Sequence, residues 1–192
     1  MKIYLIAFIM AFMATITLQA QHMNIGIKGG LNLYSVVNEN SDGEPITGYH
    51  IGLIGHFHLN DDFALQPELV FSTQGAEVIN NGVKSQLNLD YINVPILLQY
   101  MFDNGFRFYV GPQLGFLVNA KSFANNTETD RMDDFNSVEV GAGLGLSYIN
   151  PNSNFGIDAR YNLGLTNINV NDSEESYNRG LQVGLFYLFN HK

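Results

Sequence analysis

Apolar and polar residues alternate along most of this chain, in stretches of about ten positions that end in turn-forming residues. The segment from Phe155 to Leu165 shows the pattern best, with Phe, Ile, Ala, Tyr and Leu at odd positions and Gly, Asp, Arg and Asn at even ones. A period of two is typical of a β-strand, because successive side chains point to opposite faces. The pattern recurs roughly eight times and predicts an all-β fold.

The first twenty residues differ from the rest of the chain. Lys2 is followed by an apolar run from Ile3 to about Ile16, and a small residue, Ala20, comes shortly afterwards. This order is typical of a secretory signal peptide. A membrane anchor is the alternative, but the run is shorter than the roughly 20 apolar residues of a spanning helix. We therefore predict a signal peptide over residues 1–20 and one mature domain over residues 21–192.

Export changes how the alternation is interpreted. In a soluble sandwich the apolar face would cover a core, whereas in an exported membrane barrel it faces lipid and the polar face lines the interior. We predict strands near 24–34, 47–59, 63–74, 88–102, 105–119, 136–149, 154–167 and 178–189. Their number and length favour an eight-stranded antiparallel up-and-down transmembrane β-barrel. This architecture also suits a chain without cysteine, because a closed barrel leaves no unpaired sheet edge.

The connections between these strands alternate in length. Residues 60–62, 103–105 and 150–153 predict tight turns. The other connections, near 35–46, 75–87, 120–135 and 168–177, are long and polar. Outer-membrane barrels have short periplasmic turns and longer outer loops. We therefore expect both termini in the periplasm and the long loops outside the cell.

Aromatic residues on the predicted outward face gather near the tight turns and the C-terminus. Aromatic rings of membrane barrels collect at the membrane–water interface, so we predict a girdle at the periplasmic boundary. Strand propensity alone would explain the presence of aromatic residues but not their position at one end. The predicted girdle comprises Phe57, Phe63, Tyr100, Phe102, Phe106, Phe108, Tyr148, Phe155, Tyr187 and Phe189.

Four segments resemble strand motifs of a known family, and the last strand resembles a targeting signal. The segments are Ile25–Asn32, Leu65–Ala76, Tyr91–Tyr100 and Tyr109–Gly115, and they resemble strand motifs of the PorT-like, porin-like outer-membrane β-barrels of Bacteroidota. The resemblance implies a fold and a location in the outer membrane but no catalytic signature. In the last strand, the spacing of Gln182, Gly184, Tyr187 and Phe189 resembles the C-terminal signal read by the outer-membrane barrel assembly machinery.

Charged residues also fall on the predicted inward face. An eight-stranded barrel is only wide enough for side chains to fill, so unpaired charges inside it would be costly. Lys28, Glu68, Asp158 and Arg160 are expected at similar depth, and we predict that they pair into a plug; a charged constriction that selects solutes is the alternative. The inward ionisable residues are Lys28, Glu68, Arg107, Glu139, Asp158 and Arg160, with His50, His56 and His58.

The net charge of −9 makes nucleic acid a poor partner. Most of this charge lies in the predicted outer loops, as a solvated surface or, alternatively, as diffuse divalent-cation bridges to lipopolysaccharide. The acidic residues are Glu39, Asp42, Glu44, Glu77, Glu128, Asp130, Asp133, Asp134, Asp172, Glu174 and Glu175, against Lys84, Lys121, Arg131 and Arg179. Membrane lipids and, during insertion, the assembly machinery are the partners expected.

Catalytic and metal chemistry receive little support from the residues. His56 and His58, with His22 and His191, could bind zinc or copper at the periplasmic rim, but they share no ligand motif and we predict ordinary rim histidines. An acyl-modifying enzyme would need a serine close to a histidine, and no G-x-S-x-G sequence occurs. We predict no catalytic residue, metal or cofactor, and a structural or interaction role with a filled lumen; a narrow porin is the alternative.

Overall fold

The structure is a computed structural model that describes residues 23–38, 43–80, 83–125, 127–171 and 175–189. The predicted signal peptide therefore lies outside the described residues. The described chain is almost entirely β-strand, apart from a short 3-10 helix at Met132–Asp134. Within it, no helix is long and apolar enough to cross a membrane. The strands are β1 Met23–Asn38, β2 Glu44–His58, β3 Phe63–Asn80, β4 Val83–Met101, β5 Phe106–Ala124, β6 Thr127–Asp130, β7 Val138–Ile149, β8 Phe155–Gly164 and β9 Ser176–Leu188.

Eight of these strands form a closed barrel. Each pairs antiparallel with the next one along the wall, and β9 pairs with β1 from Gly26↔Leu188 to Asn38↔Ser176. The short strand β6 is not part of the wall, because it pairs only with the end of β5. The predicted eight-stranded antiparallel barrel is confirmed. Closure satisfies the backbone groups of the first and last strands without help from solvent.

The two faces of the wall follow the predicted alternation. Leu144 and Ile157 are 57% and 58% exposed on the outside, whereas Gly143 and its cross-strand partner Asn162 face the interior and are buried. The same alternation continues around the barrel, so a continuous apolar surface faces outwards. Polar and charged side chains occupy the interior.

Outward aromatic residues contact one another near the tight turns. Tyr100 lies between Phe63 and Phe102, with ring centroids 5.2 Å and 4.9 Å away. Across the seam where β9 pairs with β1, the Tyr187 ring lies 4.8 Å from that of Phe155 and 5.2 Å from that of Phe189. These contacts place the rings at one end of the barrel, as the girdle requires.

The strands extend further than the sequence predicts at the other end. β3 continues to Asn80 and β4 begins at Val83, so the expectation of a long loop near 75–87 was wrong. Backbone ladder bonds need no apolar side chains, and polar cross-strand pairs are compatible with a strand that projects beyond the lipid. One such pair is the 2.6 Å contact between Lys84 Nζ and Glu77 Oε1. β1 and β2 similarly extend into the expected loop near 35–46.

Candidate functional site

Four charged side chains meet in the middle of the lumen. Lys28 of β1 places its Nζ 3.4 Å from Glu68 Oε2 and 3.1 Å from Asp158 Oδ1. Arg160 of β8 donates two hydrogen bonds to Glu68 of β3, Nη1 to Oε2 at 2.8 Å and Nη2 to Oε1 at 2.6 Å. Two positive and two negative charges are thereby neutralised across the barrel. The structure brings these residues together, as the sequence predicts, and we call them the central cluster.

Neutral side chains surround the central cluster and extend it across the barrel. Gln66 Nε2 donates to Glu68 Oε1 at 2.6 Å, and Gln99 Nε2 donates to Gln66 Oε1 at 2.7 Å. On the other side, the Tyr109 hydroxyl donates to Asp158, and the Arg160 guanidinium lies 5.1 Å from the centre of the Tyr109 ring. These bonds satisfy buried groups that would otherwise destabilise the interior.

The glycine-rich segment of β7 makes room for this network. A Cβ atom at Gly145 would lie 2.5 Å from the Tyr109 ring. At Gly143 it would come within 3.4 Å of the Arg160 side chain. Gly143 and Gly145 therefore serve as small residues beside bulky lumen groups, and with Gly141 they lie within a strand and not in a phosphate-binding loop.

Apolar clusters flank the polar network on both sides. Near the tight turns, Ile54, Ile149, Phe186 and Leu188 form one buried cluster. Near the long loops, Leu89, Tyr91, Leu117, Ala120 and Ile168 form another, which we call the apolar cap. A charged network flanked by two apolar layers obstructs the path of an ion, because the ion would have to separate buried ion pairs and apolar side chains cannot replace its hydration shell.

The apolar cap is built partly from segments that the sequence suggests are solvated loops. Ile168 is only 1% exposed, and Met132 and Phe135 pack against the same cluster. Asn136 Nδ2 holds the two segments together by donating to the carbonyls of Asn167 and Asn169, at 3.0 Å and 2.8 Å. The expectation that 120–135 and 168–177 are simply polar outer loops is therefore corrected. The signal that could have revealed this is an isolated isoleucine or phenylalanine within a polar stretch.

Two further predicted lumen charges lie apart from the central cluster. Glu139 is buried and accepts a hydrogen bond from Asn178 Nδ2 at 3.0 Å. Arg107 is also buried and lines a cavity of about 240 Å³ near the tight turns, together with His58 and Asp61. The predicted inward parity is correct for both residues. Only four of the six lumen charges converge, and they are the four that the sequence places at similar depth.

The histidines are distributed over two levels. His56 and His58 lie near the tight turns with their rings edge to face, 4.6 Å between centroids. His22 and His191 lie outside the described residues. Within the described ranges, no group of three or more His, Cys, Asp or Glu side chains has a geometry that could hold a metal ion.

One serine–histidine neighbourhood bears on the enzyme hypothesis. His50 and Ser72 are register partners on β2 and β3. Asn32 contacts both, accepting from His50 Nδ1 at 2.7 Å and donating to Ser72 Oγ at 3.0 Å. All three residues are at most 2% exposed and lie between the two apolar layers. This arrangement is a packed hydrogen-bond network in which the serine is not presented to solvent.

A closed barrel with an apolar outer band, an aromatic end and a polar interior defines an integral β-barrel protein of the outer membrane. Residues 19–170 match the family described as outer membrane protein beta-barrel domain, and the chain belongs to this family. No curated protein matches the sequence.

Solved structures show the same fold. Neisserial surface protein A superimposes with a TM-score of 0.60 at 13% identity, over 88% of this chain and 100% of that one. Ail, the attachment invasion locus protein of Yersinia pestis, superimposes with a TM-score of 0.57 at 17% identity, with the same coverage. At such identities the similarity concerns the fold alone.

Proposed function

We propose that this protein is a non-conducting outer-membrane barrel with a structural or interaction role. The observation that carries the proposal is the central cluster, in which Lys28, Glu68, Asp158 and Arg160 span the lumen between two apolar layers. A narrow porin is the alternative. It is less well supported, because a passing solute would have to separate buried ion pairs, and balanced charges select poorly between ions.

Conductance in planar bilayers tests this proposal directly. The purified full-length protein is expected to produce at most a small flickering current. A double variant, Glu68→Ala with Arg160→Ala, should increase that current by removing part of the obstruction, whereas Leu144→Ala on the lipid face should not change it. Large, stable, ion-selective steps from the wild-type protein would contradict the proposal and favour the porin.

The interaction role rests on the strand extensions beyond the apolar band. We infer that they face outwards from the cell and that both termini lie in the periplasm. Exposed acidic residues such as Glu128 and Asp130 suit cationic partners or divalent-cation bridges to lipopolysaccharide. The Yersinia Ail structure includes a complex with a heparin analogue, sucrose octasulfate, with a TM-score of 0.53 at 16% identity. The acidic outer segments here make a polyanion an unfavourable ligand.

Orientation can be tested with an epitope tag inserted at residues 81–82, between β3 and β4. Antibody should label the tag on intact cells. A second tag between Asp61 and Asp62, in a tight turn, should be labelled only after the outer membrane is permeabilised. The reverse result would show that the barrel is inverted.

For biogenesis, we propose a cleaved signal peptide over residues 1–20 and recognition of the last strand by the barrel assembly machinery, as expected of a PorT-like protein of Bacteroidota. Deleting residues 187–192 should leave protease-sensitive protein in the periplasm, because Tyr187 and Phe189 would be lost and the seam with β1 shortened. Deleting residues 190–192 is the matched control and should have almost no effect. Normal outer-membrane levels of the longer deletion would contradict the targeting hypothesis.

An acyl-modifying activity remains a third, less favoured hypothesis.

A further inference from the structure

Glu139 is a lumen carboxylate that does not belong to the central cluster. It projects inwards from β7, opposite Gly115 of β5, and is 5% exposed. Its Oε2 accepts a hydrogen bond from Asn178 Nδ2 at 3.0 Å. Among the described residues, none of the lysine or arginine ion pairs includes Glu139. A buried carboxylate without a compensating charge is costly, so either a proton or a bound cation must neutralise it.

Further oxygen atoms lie around Glu139. Asn178 is 2% exposed, and in the described part of the chain its Oδ1 has no hydrogen-bond partner. Tyr91 and Glu139 both flank Gly115, because a Cβ atom there would lie 3.2 Å from Tyr91 Cδ1 and 3.6 Å from Glu139 Cβ. The Tyr91 hydroxyl is buried and, like Asn178 Oδ1, has no hydrogen-bond partner among the described residues. Carboxylate, amide and hydroxyl oxygens are the ligands that hard cations prefer.

Glycines keep space beside this carboxylate. A Cβ atom at Gly164 of β8 would overlap with Glu139 Oε1. On the other side, a Cβ atom at Gly115 would lie 2.8 Å from the Oδ1 of Asn93, another buried lumen residue. Neither glycine is required by a turn, since both lie within barrel strands or at a strand end. Side chains at these two positions would clash with Glu139 or Asn93, so the glycines allow the carboxylate to lie inside the lumen.

We propose that Glu139, Asn178 and Tyr91 form a binding site for a monovalent alkali-metal cation beneath the apolar cap. The charge selects the cation: one carboxylate and neutral oxygens carry a single negative charge, which a monovalent ion neutralises. A divalent ion would leave a net positive charge among buried side chains, at a high desolvation cost. Soft transition metals are disfavoured because the ligands contain neither sulfur nor imidazole. The site is independent of whether the barrel conducts.

The test is thermal unfolding of the full-length, detergent-solubilised protein at neutral to mildly alkaline pH. Melting in sodium chloride or potassium chloride is compared with melting in choline chloride at equal ionic strength, because the methyl groups of choline keep its charge away from oxygen ligands. We expect the wild-type protein to melt higher by about 3 °C or more in at least one alkali salt. Glu139→Gln preserves the shape of the side chain and should abolish this difference. Glu77→Gln, at a carboxylate that is already paired with Lys84, should retain it.

A second measurement covers the case in which Glu139→Gln does not fold. The sodium NMR line measured with the wild-type protein should be broader than that of a matched detergent blank. It should narrow again when potassium displaces the bound sodium. Equal melting temperatures in all three salts would show that Glu139 is neutralised by a proton, and would overturn the proposal. The same conclusion follows if Glu139→Gln keeps the alkali-ion effect. Stronger stabilisation by calcium or magnesium than by any alkali ion would overturn the charge argument.

Discussion

The lipid face and the lumen face of this barrel are formed by alternate residues of the same strands, yet they obey different rules. On the lipid face, Leu144 and Ile157 are more than half exposed, and any apolar side chain of similar size would serve there. In the lumen, Glu68 and Arg160 form two hydrogen bonds of defined geometry. The lipid face therefore tolerates exchange among apolar residues but not charge. The lumen accommodates charge but not the loss of a partner.

The largest expected effect is at the centre of the lumen. Glu68→Ala would leave Lys28 and Arg160 buried with one carboxylate between them, and we expect a loss of about 3–5 kcal/mol in the free energy of unfolding. The chain has no tryptophan, so unfolding in urea is best followed by circular dichroism and by gel mobility of the folded barrel. The double variant Glu68→Leu with Arg160→Met keeps the Lys28–Asp158 pair and should be less destabilised than Glu68→Ala. Equal losses would show that charge balance is unimportant.

A charge on the lipid face is the next largest effect. Leu144→Arg should destabilise the inserted barrel by about 2–4 kcal/mol if Leu144 lies near the bilayer midplane, because the guanidinium would be placed in lipid. Thr129→Arg in the exposed strand β6 is the control and should be silent. Spin labels at positions 157 and 162 check the same assignment. Water exposure at position 157 together with lipid exposure at position 162 would show that the lipid and lumen faces are assigned the wrong way round.

The apolar cap should show an intermediate sensitivity. Ile168→Ala removes a fully buried side chain, and we expect a loss of about 2 kcal/mol, at the lower end of such changes because a loop can partly relax. Amide hydrogen exchange should rise at Asn136, whose backbone N–H donates to the Ile168 carbonyl at 2.7 Å. Val170→Ala, at a position 56% exposed, should have little effect. Equal exchange in the two variants would argue against a packed cap.

The smallest effect is expected on the strand extensions. Lys84→Ala removes the ion pair with Glu77, but the lysine side chain is 67% exposed. Water and salt screen such pairs strongly, so the urea midpoint should not change measurably. A loss of unfolding free energy as large as that expected for Ile168→Ala would mean that the β3–β4 extension packs against another part of the protein.

Much of this architecture could be predicted from the sequence because its cause is local. The alternation from Phe155 to Leu165 specifies which side chains share a face, and a one-residue shift would reverse both faces. The same parity places Lys28, Glu68, Asp158 and Arg160 inside the barrel. These four residues lie at similar distances in sequence from the tight turns, which places them at similar depth in the barrel. Their pairing follows because unpaired charges are not tolerated in a narrow lumen.

The remaining features depend on contacts between residues far apart in the chain. Polar composition made residues 75–87 resemble a loop, although backbone hydrogen bonds between β3 and β4 need no apolar residues. Ile168 and Phe135 gave little local signal, because the cluster that buries them exists only once β4 and β5 lie side by side. Parity placed Glu139 and Arg107 inside, but their separation from the central cluster arises from the stagger of the closed barrel. A local pattern encodes the direction of each side chain, whereas its neighbours across the lumen are defined only after closure.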